Sequence, residues 1–363
     1  VVHVIAPARV GGAESVVRAL AAGRRERGGA TEVVALLDGP EPHPFVESLR
    51  GRDVPVHVLR CGRRRYRAEA RAVAALLRQR QAPLVHTHVY HADFVGYWAA
   101  RSCRMPVVAT VHGFVGGDWK NRLYQSLDRR LLRRFDAVIC VSEGVRARLA
   151  GAGGDPARLR VIPNGHPGGA TVPRAVARER LGIVDGTPTI GWVGRLSAEK
   201  GADLLLAALP QVGVPGARAV LLGAGEEERR LGTLGAALGL PEGAVRLVGE
   251  RADAASLLGA FDVLVISSRT EGLPMVLLEA MAVGTPVVAF AVGGIPDVLG
   301  DESGWLVPAG DVPALAAGIR HALGARDEAA RRAAVARRTL EARFGLDRWL
   351  RTVEAVYAGV DAA

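Results

Sequence analysis

Short β-branched runs alternate with segments of helical period from one end of the chain to the other, and no other feature restricts the possible folds as much. Runs near 1–6, 32–37, 54–59, 83–88, 106–111, 137–142 and 159–163 read as strands in the first half. Runs near 188–193, 218–222, 245–248, 263–267, 286–290 and 305–307 do so in the second. With helices between them the strands cannot pair as tight hairpins, so each half is expected to form its own doubly wound parallel sheet, an α/β architecture. The 363 residues are enough for two such domains. Pro and Gly cluster without an apolar period at His166–Pro173, which places the expected boundary: a first domain over 1–168, a second over 169–343.

In open parallel sheets ligands bind beyond the carboxyl ends of the strands, so residues just after strands are the first candidates for function. Two such sheets joined by a hinge are expected to hold a substrate between their strand ends. No run approaches the ~18 apolar residues of a membrane span. Cys61, Cys103 and Cys140 are far apart and lack CxxC spacing, which argues against a disulfide framework or a zinc ribbon. No signal core precedes the strand-like run Val1–Ala6, and with this cysteine usage a cytoplasmic protein is expected.

The net charge of +10 is unevenly spread. Residues 1–168 carry 27 Lys and Arg against 14 Asp and Glu, a balance of +13, while residues 169–363 carry 20 against 23, a balance of −3. A basic first half suits an anionic partner, and a plain solubility excess of arginine is the alternative. The segment Trp119–Phe135, WKNRLYQSLDRRLLRRF, sets Trp119, Leu123, Leu127 and Leu131 four apart on one stripe among Lys120, Arg122, Arg129, Arg130, Arg133 and Arg134. Such a helix can lie on an anionic bilayer, with Arg63–Arg65 and Arg67 adding to the same field; alternatively the leucines pack on the sheet and only the arginines are exposed.

Two segments of the second half carry chemistry. In TIGWVGRLSAEKG, Thr189–Gly201, a strand runs into a glycine turn with Arg195 and Lys200 ahead of the next helix. Arg can donate two bonds to one phosphate while Lys supplies a point charge to the next, so the pair suits a diphosphate. Lys200 is one of only two lysines, with Lys120. The second segment, EGLPMVLLEAMAVGTPVV, begins at Glu271 after the strand VLVIS and the polar turn Ser268–Thr270. Its helix is expected over Pro274–Val283, with Pro274 in the first turn. Every residue of that helix except Glu279 is apolar, so a buried Glu279 would need donors, which a ribose diol or backbone amides could supply. Glu271, just ahead of the helix amino terminus, can face sugar hydroxyls.

Together, G-R-L-x-x-E-K-G followed about seventy residues later by E-G-L-P-x-V-L-L-E-A-M-A resembles the retaining glycosyltransferases of family 4, which have the two-domain GT-B fold. GGAE at Gly11–Glu14, His112 with Gly113, VIPNG at Val161–Gly165 and VGGIPDVL at Val292–Leu299 extend the resemblance over most of the chain. The resemblance implies that Glu279 holds the ribose of a nucleotide, that Glu271 contacts the transferred sugar, and that Arg195 and Lys200 hold the diphosphate. It implies that Gly11 and Gly12 approach a phosphate, and that His112 faces the donor sugar and helps the acceptor. Many members have a glycine where this chain has Pro274, which has no amide to give, so the amides of Leu273 and Met275 are the candidates here.

The implied reaction transfers a sugar from a nucleotide diphosphate, UDP being expected, to a hydroxyl, with retention and without metal or other cofactor. The expected acceptor is a lipid-linked or otherwise anionic glycan, with the enzyme peripheral on the inner face of the membrane; a soluble small molecule is the alternative. No nucleic acid partner is expected. A sugar-nucleotide epimerase or phosphorylase and a non-catalytic nucleotide-sugar sensor are the rivals. Leu346, Trp349, Leu350, Val353, Val356 and Tyr357 fall at helical spacing, and resemblance and pattern together predict that residues 344–363 pack back on the first domain.

Two further motifs are weaker. His86, His88 and His91 in VHTHVYH resemble a metal-hydrolase spacing, but no carboxylate-rich partner motif follows, and strand-end histidines lining the cleft are expected. GAGEEERR from Gly223 resembles a dinucleotide fingerprint without its third glycine, and Glu226–Glu228 are expected to fill the first helical turn where a phosphate would sit.

Overall fold

A computed structural model describes residues 1–8, 11–39, 42–62, 65–114, 119–168 and 171–361, with the side chains of 119–122 and 361 left aside. The chain divides into two compact units, Val1–Pro167 with Leu346–Ala363, and Gly168–Gly345.

The first unit holds seven strands: β1 Val2–Ile5, β2 Glu32–Leu36, β3 Val56–Leu59, β4 Val85–His88, β5 Val107–Val111, β6 Ala137–Cys140 and β7 Leu159–Val161. They form one parallel sheet in the order β3-β2-β1-β4-β5-β6-β7. The second unit holds six: β8 Thr189–Val193, β9 Arg218–Leu222, β10 Val245–Gly249, β11 Val263–Ile266, β12 Val287–Phe290 and β13 Trp305–Val307. Their order is β10-β9-β8-β11-β12-β13, again parallel. Every strand lies within two residues of the bounds read from the sequence. The reason is burial on both faces: β4, β5, β6, β11 and β12 expose none of their residues, and a parallel strand covered by helices on both sides reads as an unbroken apolar run.

In each sheet the order reverses at one point, between β1 and β4 in the first unit and between β8 and β11 in the second. The chain leaves such a pair of strands in opposite directions, and the loops after them part to leave a crevice at the carboxyl edge.

The last helix, Leu346–Asp361, belongs to the first unit. Trp349, Leu350, Val353 and Tyr357 are buried. Leu350 lies over Gly23 of the helix Gly12–Glu26, where a Cβ would come within 2.8 Å of Leu350 Cδ1, and Arg24 pairs with Glu354 at 3.1 Å. At roughly 1.5–3 kcal/mol for each large apolar side chain, this helix is a substantial part of the first unit's core.

The helix expected to begin at Pro274 runs over Met275–Val283 instead. Pro274 stands just ahead of it with φ −71° and ψ 128°, an extended conformation that turns the chain into the helix. Gly169 and Ala170 of the expected hinge, and Arg63 and Arg64 of the basic cluster, lie outside the described residues.

Candidate active site

The loops after β8 and β11 meet at the switch point of the second sheet, and their side chains and backbones are cross-bonded. Ser267 Oγ donates to the Gly201 carbonyl at 2.6 Å and accepts from Trp192 Nε1 at 3.2 Å. Arg269 forks onto both oxygens of Asp203 at 2.9 and 2.8 Å, donates to the Ala198 carbonyl at 2.6 Å, and its backbone N–H bonds the Glu199 carbonyl at 2.8 Å. Burial works to raise the Asp203 carboxyl, but the bonds from Arg269 and Arg230 outweigh it and hold the group below its usual range. A bidentate guanidinium that also bonds backbone fixes one loop against the other.

Lys200 and Glu271 sit within this frame. Lys200 closes a short 3₁₀ turn, Ala198–Lys200, and its Nζ donates to Glu271 Oε1 at 2.7 Å and Oε2 at 2.9 Å. Ser268 Oγ donates to the same Oε1 at 2.6 Å. The Glu271 side chain is only 7% exposed, while that of Lys200 is 28% exposed, so the lysine is the more open member of the pair. The sequence had suggested separate tasks for these two residues; the fold makes them one hydrogen-bonded group. Arg195 stands apart, 56% exposed and held at 2.5 Å to Glu199.

Two glycines make the arrangement possible. Gly201 has φ +64°, and a Cβ there would lie 2.0 Å from the Ser267 carbonyl oxygen. Gly293 has φ +58°, and a Cβ there would lie 2.1 Å from the Glu271 carbonyl oxygen. Both positions combine a left-handed backbone with no room for a side chain. Gly294 N–H bonds the Gly272 carbonyl at 2.6 Å, so the Glu271 segment is held by the loop after β12 as well as by that after β8.

Leu273 and Met275 bury their side chains. Met275 opens its helix, so its N–H has no acceptor within the helix. Glu279 is half-buried, sharing an open stripe with Val276 and Val283. The expectation of a fully enclosed carboxylate is therefore corrected: the helix is apolar in composition but keeps one partly open face.

In the first unit, Gly11 precedes the helix that Gly12 begins. Gly11 has an extended backbone open to any residue, so its constraint is space: a Cβ would meet Glu14 Oε2 at 2.3 Å. Glu14 Oε1 in turn accepts from the Ala8 N–H at 2.7 Å and ties down the loop after β1. His112 follows β5 directly, and its Nε2 lies 3.1 Å from Nδ1 of His88. His86 and His88 do share one face, as their spacing demands, but both are fully buried, His88 at the last position of β4, so neither lines an open surface as expected. His91 lies in the first turn of the helix Tyr90–Ser102 and bonds Glu69 at 2.8 Å.

Comparison with known proteins gives the family. Residues 10–167 match the model for Glycosyltransferase Family 4, and residues 187–325 that for Glycosyl transferases group 1. The D-inositol 3-phosphate glycosyltransferase of Geodermatophilus obscurus is 32% identical over 314 residues, covering 77% of this chain and 66% of that protein. The enzyme of the same name from Mycobacterium tuberculosis is 30% identical over 271 residues, 66% of this chain and 54% of that one. Anabaena HepE, solved in complex with UDP and glucose, superposes with a TM-score of 0.86 at 25% identity, covering 98% of both chains. The chain belongs to the group 1 and family 4 glycosyltransferases of GT-B fold. It spans between about half and two thirds of the length of these curated relatives.

Within this glycosyltransferase family member, several supporting residues escaped the sequence reading. Ser267, Ser268, Arg269 and Asp203 act through bonds that close across loops 66 or more residues apart or within one tight turn, and sequence marks only their polarity. The motif from Gly223 also takes on a different task. Only Glu228 lies in the helix Glu228–Ala237, Glu227 turns instead to Arg230 at 2.6 Å, and a Cβ at Gly225 would meet the Leu196 carbonyl at 2.2 Å. Gly225 lets the loop after β9 lie close on the loop after β8.

Proposed function

We propose that this chain is a retaining glycosyltransferase that takes a sugar from a UDP-sugar and places it on a hydroxyl of an anionic acceptor. The observation that carries the reading is the Lys200–Glu271 pair on cross-braced loops at the switch point of the second sheet. Lys200 keeps open donor capacity for a phosphate oxygen, and Arg195 offers an exposed guanidinium from the same loop after β8. Glu271 accepts sugar hydroxyls, Glu279 the ribose hydroxyls, and the first-turn amides near Leu273 and Met275 add donors. Gly11 and Gly12 admit phosphate to a backbone, and His112 faces the sugar.

In the reaction the bond from the anomeric carbon to the diphosphate oxygen breaks and its electron pair stays on the diphosphate. The acceptor oxygen bonds the same face of that carbon, and its proton passes to the departing phosphate. Lys200, Arg195 and helix amino termini stabilise the charge that grows there, so neither a metal nor a carboxylate nucleophile is required.

For the acceptor we favour a lipid-linked anionic glycan met at the inner membrane surface. Among the described residues, the large exposed hydrophobics are Tyr90, Trp98, Leu123, Leu127 and Val184, and the first four lie on the helices Tyr90–Ser102 and Trp119–Leu132. Arg130, Arg133 and Arg134 are exposed at the end of the second helix. Leu123 and Leu127 thus face solvent, whereas Leu131 packs inward. No helix among the described residues is long and apolar enough to cross a membrane. A soluble small-molecule acceptor, such as a phosphorylated polyol, is the second reading, favoured by the inositol phosphate acceptor in the name of the Geodermatophilus relative.

Incubation with a panel of UDP-sugars, with and without acceptor lipids or inositol phosphate, tests the proposal. Transfer releases UDP and yields a glycosylated acceptor; an epimerase yields a new UDP-sugar, and a sensor leaves the panel unchanged.

A further inference from the structure

We propose that His3 and His88 fix the tautomer of His112 so that its second ring nitrogen, Nδ1, is a hydrogen-bond donor and not a base. The inference deepens the proposed function, since it rests on His112 serving the sugar site.

Register brings the rings together. His3 on β1 stands opposite His86 on β4, and Ile5 opposite His88, so alternate residues of neighbouring strands set three imidazoles on one face. All three are fully buried. His3 Nδ1 lies 3.1 Å from His88 Nε2, and His88 Nδ1 lies 3.1 Å from His112 Nε2. Burial, with repulsion among the rings, holds His3, His86 and His88 well below the usual imidazole range, and burial holds His112 at about 4. Each ring is therefore neutral near pH 7 and carries one N–H.

His88 then has one proton for two nitrogen neighbours and must donate to one while accepting from the other. Only two arrangements of the chain exist, and they differ at its ends. If His112 donates to His88 and His88 to His3, the proton of His3 is on Nε2. If His3 donates to His88 and His88 to His112, His3 Nε2 is a bare nitrogen and His112 carries its proton on Nδ1.

The far end decides. His3 Nε2 is buried without any hydrogen-bond partner. The first arrangement strands an N–H there, the second only a lone pair, and orphaned buried N–H groups are the rarer case in proteins. The charge of Arg24 acts on His3 and His86, so the positive field lies at that end and opposes an N–H there. Both effects select the second arrangement. His112 Nδ1, which has no partner among the described residues, is then a donor suited to a hydroxyl or phosphate oxygen.

A metal is the competing use of this cluster, because ligand atoms of His3, His86 and His88 lie within 4.8 Å of one another. Yet His86 is bonded at 2.7 Å on one nitrogen to Tyr357 and on the other to Thr110, and among the described residues no carboxylate joins the group. A metal bridging His3 Nδ1 and His88 Nε2 would also need both of their lone pairs, which the hydrogen-bonded chain cannot offer.

Long-range proton–nitrogen NMR of the imidazoles in the full chain, assigned with His112→Gln, tests the inference. The expected result is His112 protonated at Nδ1 and bare at Nε2. His88→Leu should release the ring toward the Nε2–H form and slow UDP release from UDP-glucose at least tenfold, with UDP affinity unchanged. His88→Asn, whose amide can donate from near the former Nδ1, should restore both. Wild-type His112 protonated at Nε2, an unchanged tautomer in folded His88→Leu, or one equivalent of bound metal would each overturn the proposal. If His88→Leu does not fold, the wild-type spectrum decides alone. The expected tautomer together with full turnover in His112→Ala would overturn the sugar-site reading of His112 and leave the chain of protons standing.

Discussion

Lys200 and Glu271, 71 residues apart in sequence, are bonded through both carboxylate oxygens, with Nζ at 2.7 Å from one and 2.9 Å from the other. The pair joins the two loops on which the proposed chemistry depends, so its members cannot be replaced independently.

Lys200→Ala should slow transfer by roughly a hundredfold, the scale for loss of a charge stabiliser. It should also cost stability, by about 1–3 kcal/mol, because it leaves the carboxylate of Glu271 enclosed with Ser268 as its remaining side-chain donor. Urea unfolding checks this: adding Glu271→Ala to Lys200→Ala should recover most of the loss. Additive losses would show that the two groups do not depend on each other.

Gly201→Ala should unfold the second unit's site region even though it adds a single methyl. Its Cβ would meet the Ser267 carbonyl oxygen at 2.0 Å from a left-handed backbone, so a loss above about 2 kcal/mol is expected. Gly232→Ala, in the helix Glu228–Ala237 with open space around it, is the control that calorimetry should find neutral or stabilising.

Stability of the first unit should depend on pH through two opposed sets of groups. Burial raises the Asp93 carboxyl, with Asp128 adding to the effect, and pushes Asp128 up to about 7. The folded state then holds protons that the unfolded chain loses above about 4, so this contribution falls as pH rises from 4 to 7. The lowered histidines act the other way: the unfolded chain binds protons below about 6.5 that the fold refuses, so stability drops as pH falls from 6.5 toward 4. Asp128→Asn mimics the protonated acid and should raise the melting temperature at pH 7.5 by about 2–4 °C more than at pH 4.5. An equal effect at both pH values would contradict the shifted carboxyl.

Vesicle co-sedimentation should show binding to anionic but not neutral liposomes, weakening as salt rises. Leu123→Ser with Leu127→Ser should reduce it severalfold while leaving the melting temperature in place, since both side chains are exposed. Binding that ignores these changes would remove the helix Trp119–Leu132 from the proposed membrane contact.

The sheets were legible because strands buried on both faces carry their β-branched runs openly, as Val107–Val111 and Val263–Ile266 do. The segments carrying Arg195, Lys200 and Glu271 were legible as polar residues just after apolar strands, and the fold brings Lys200 and Glu271 together. What sequence could not supply was partnership. Nothing local says that Lys200 binds Glu271, that Arg269 reaches Asp203, or that His3 meets His88 across a strand register. The half-open setting of Glu279 was missed because composition fixes how apolar a helix is, while packing decides which of its faces stays uncovered.

The central claim is tested most directly by following UDP release and acceptor glycosylation from a UDP-sugar panel with wild-type protein and Lys200→Ala, reading the anomeric configuration of any product by NMR. The account predicts UDP release coupled to a product of retained configuration, slowed roughly a hundredfold in the variant. Turnover that ignores Lys200→Ala, or a product of inverted configuration, would contradict it.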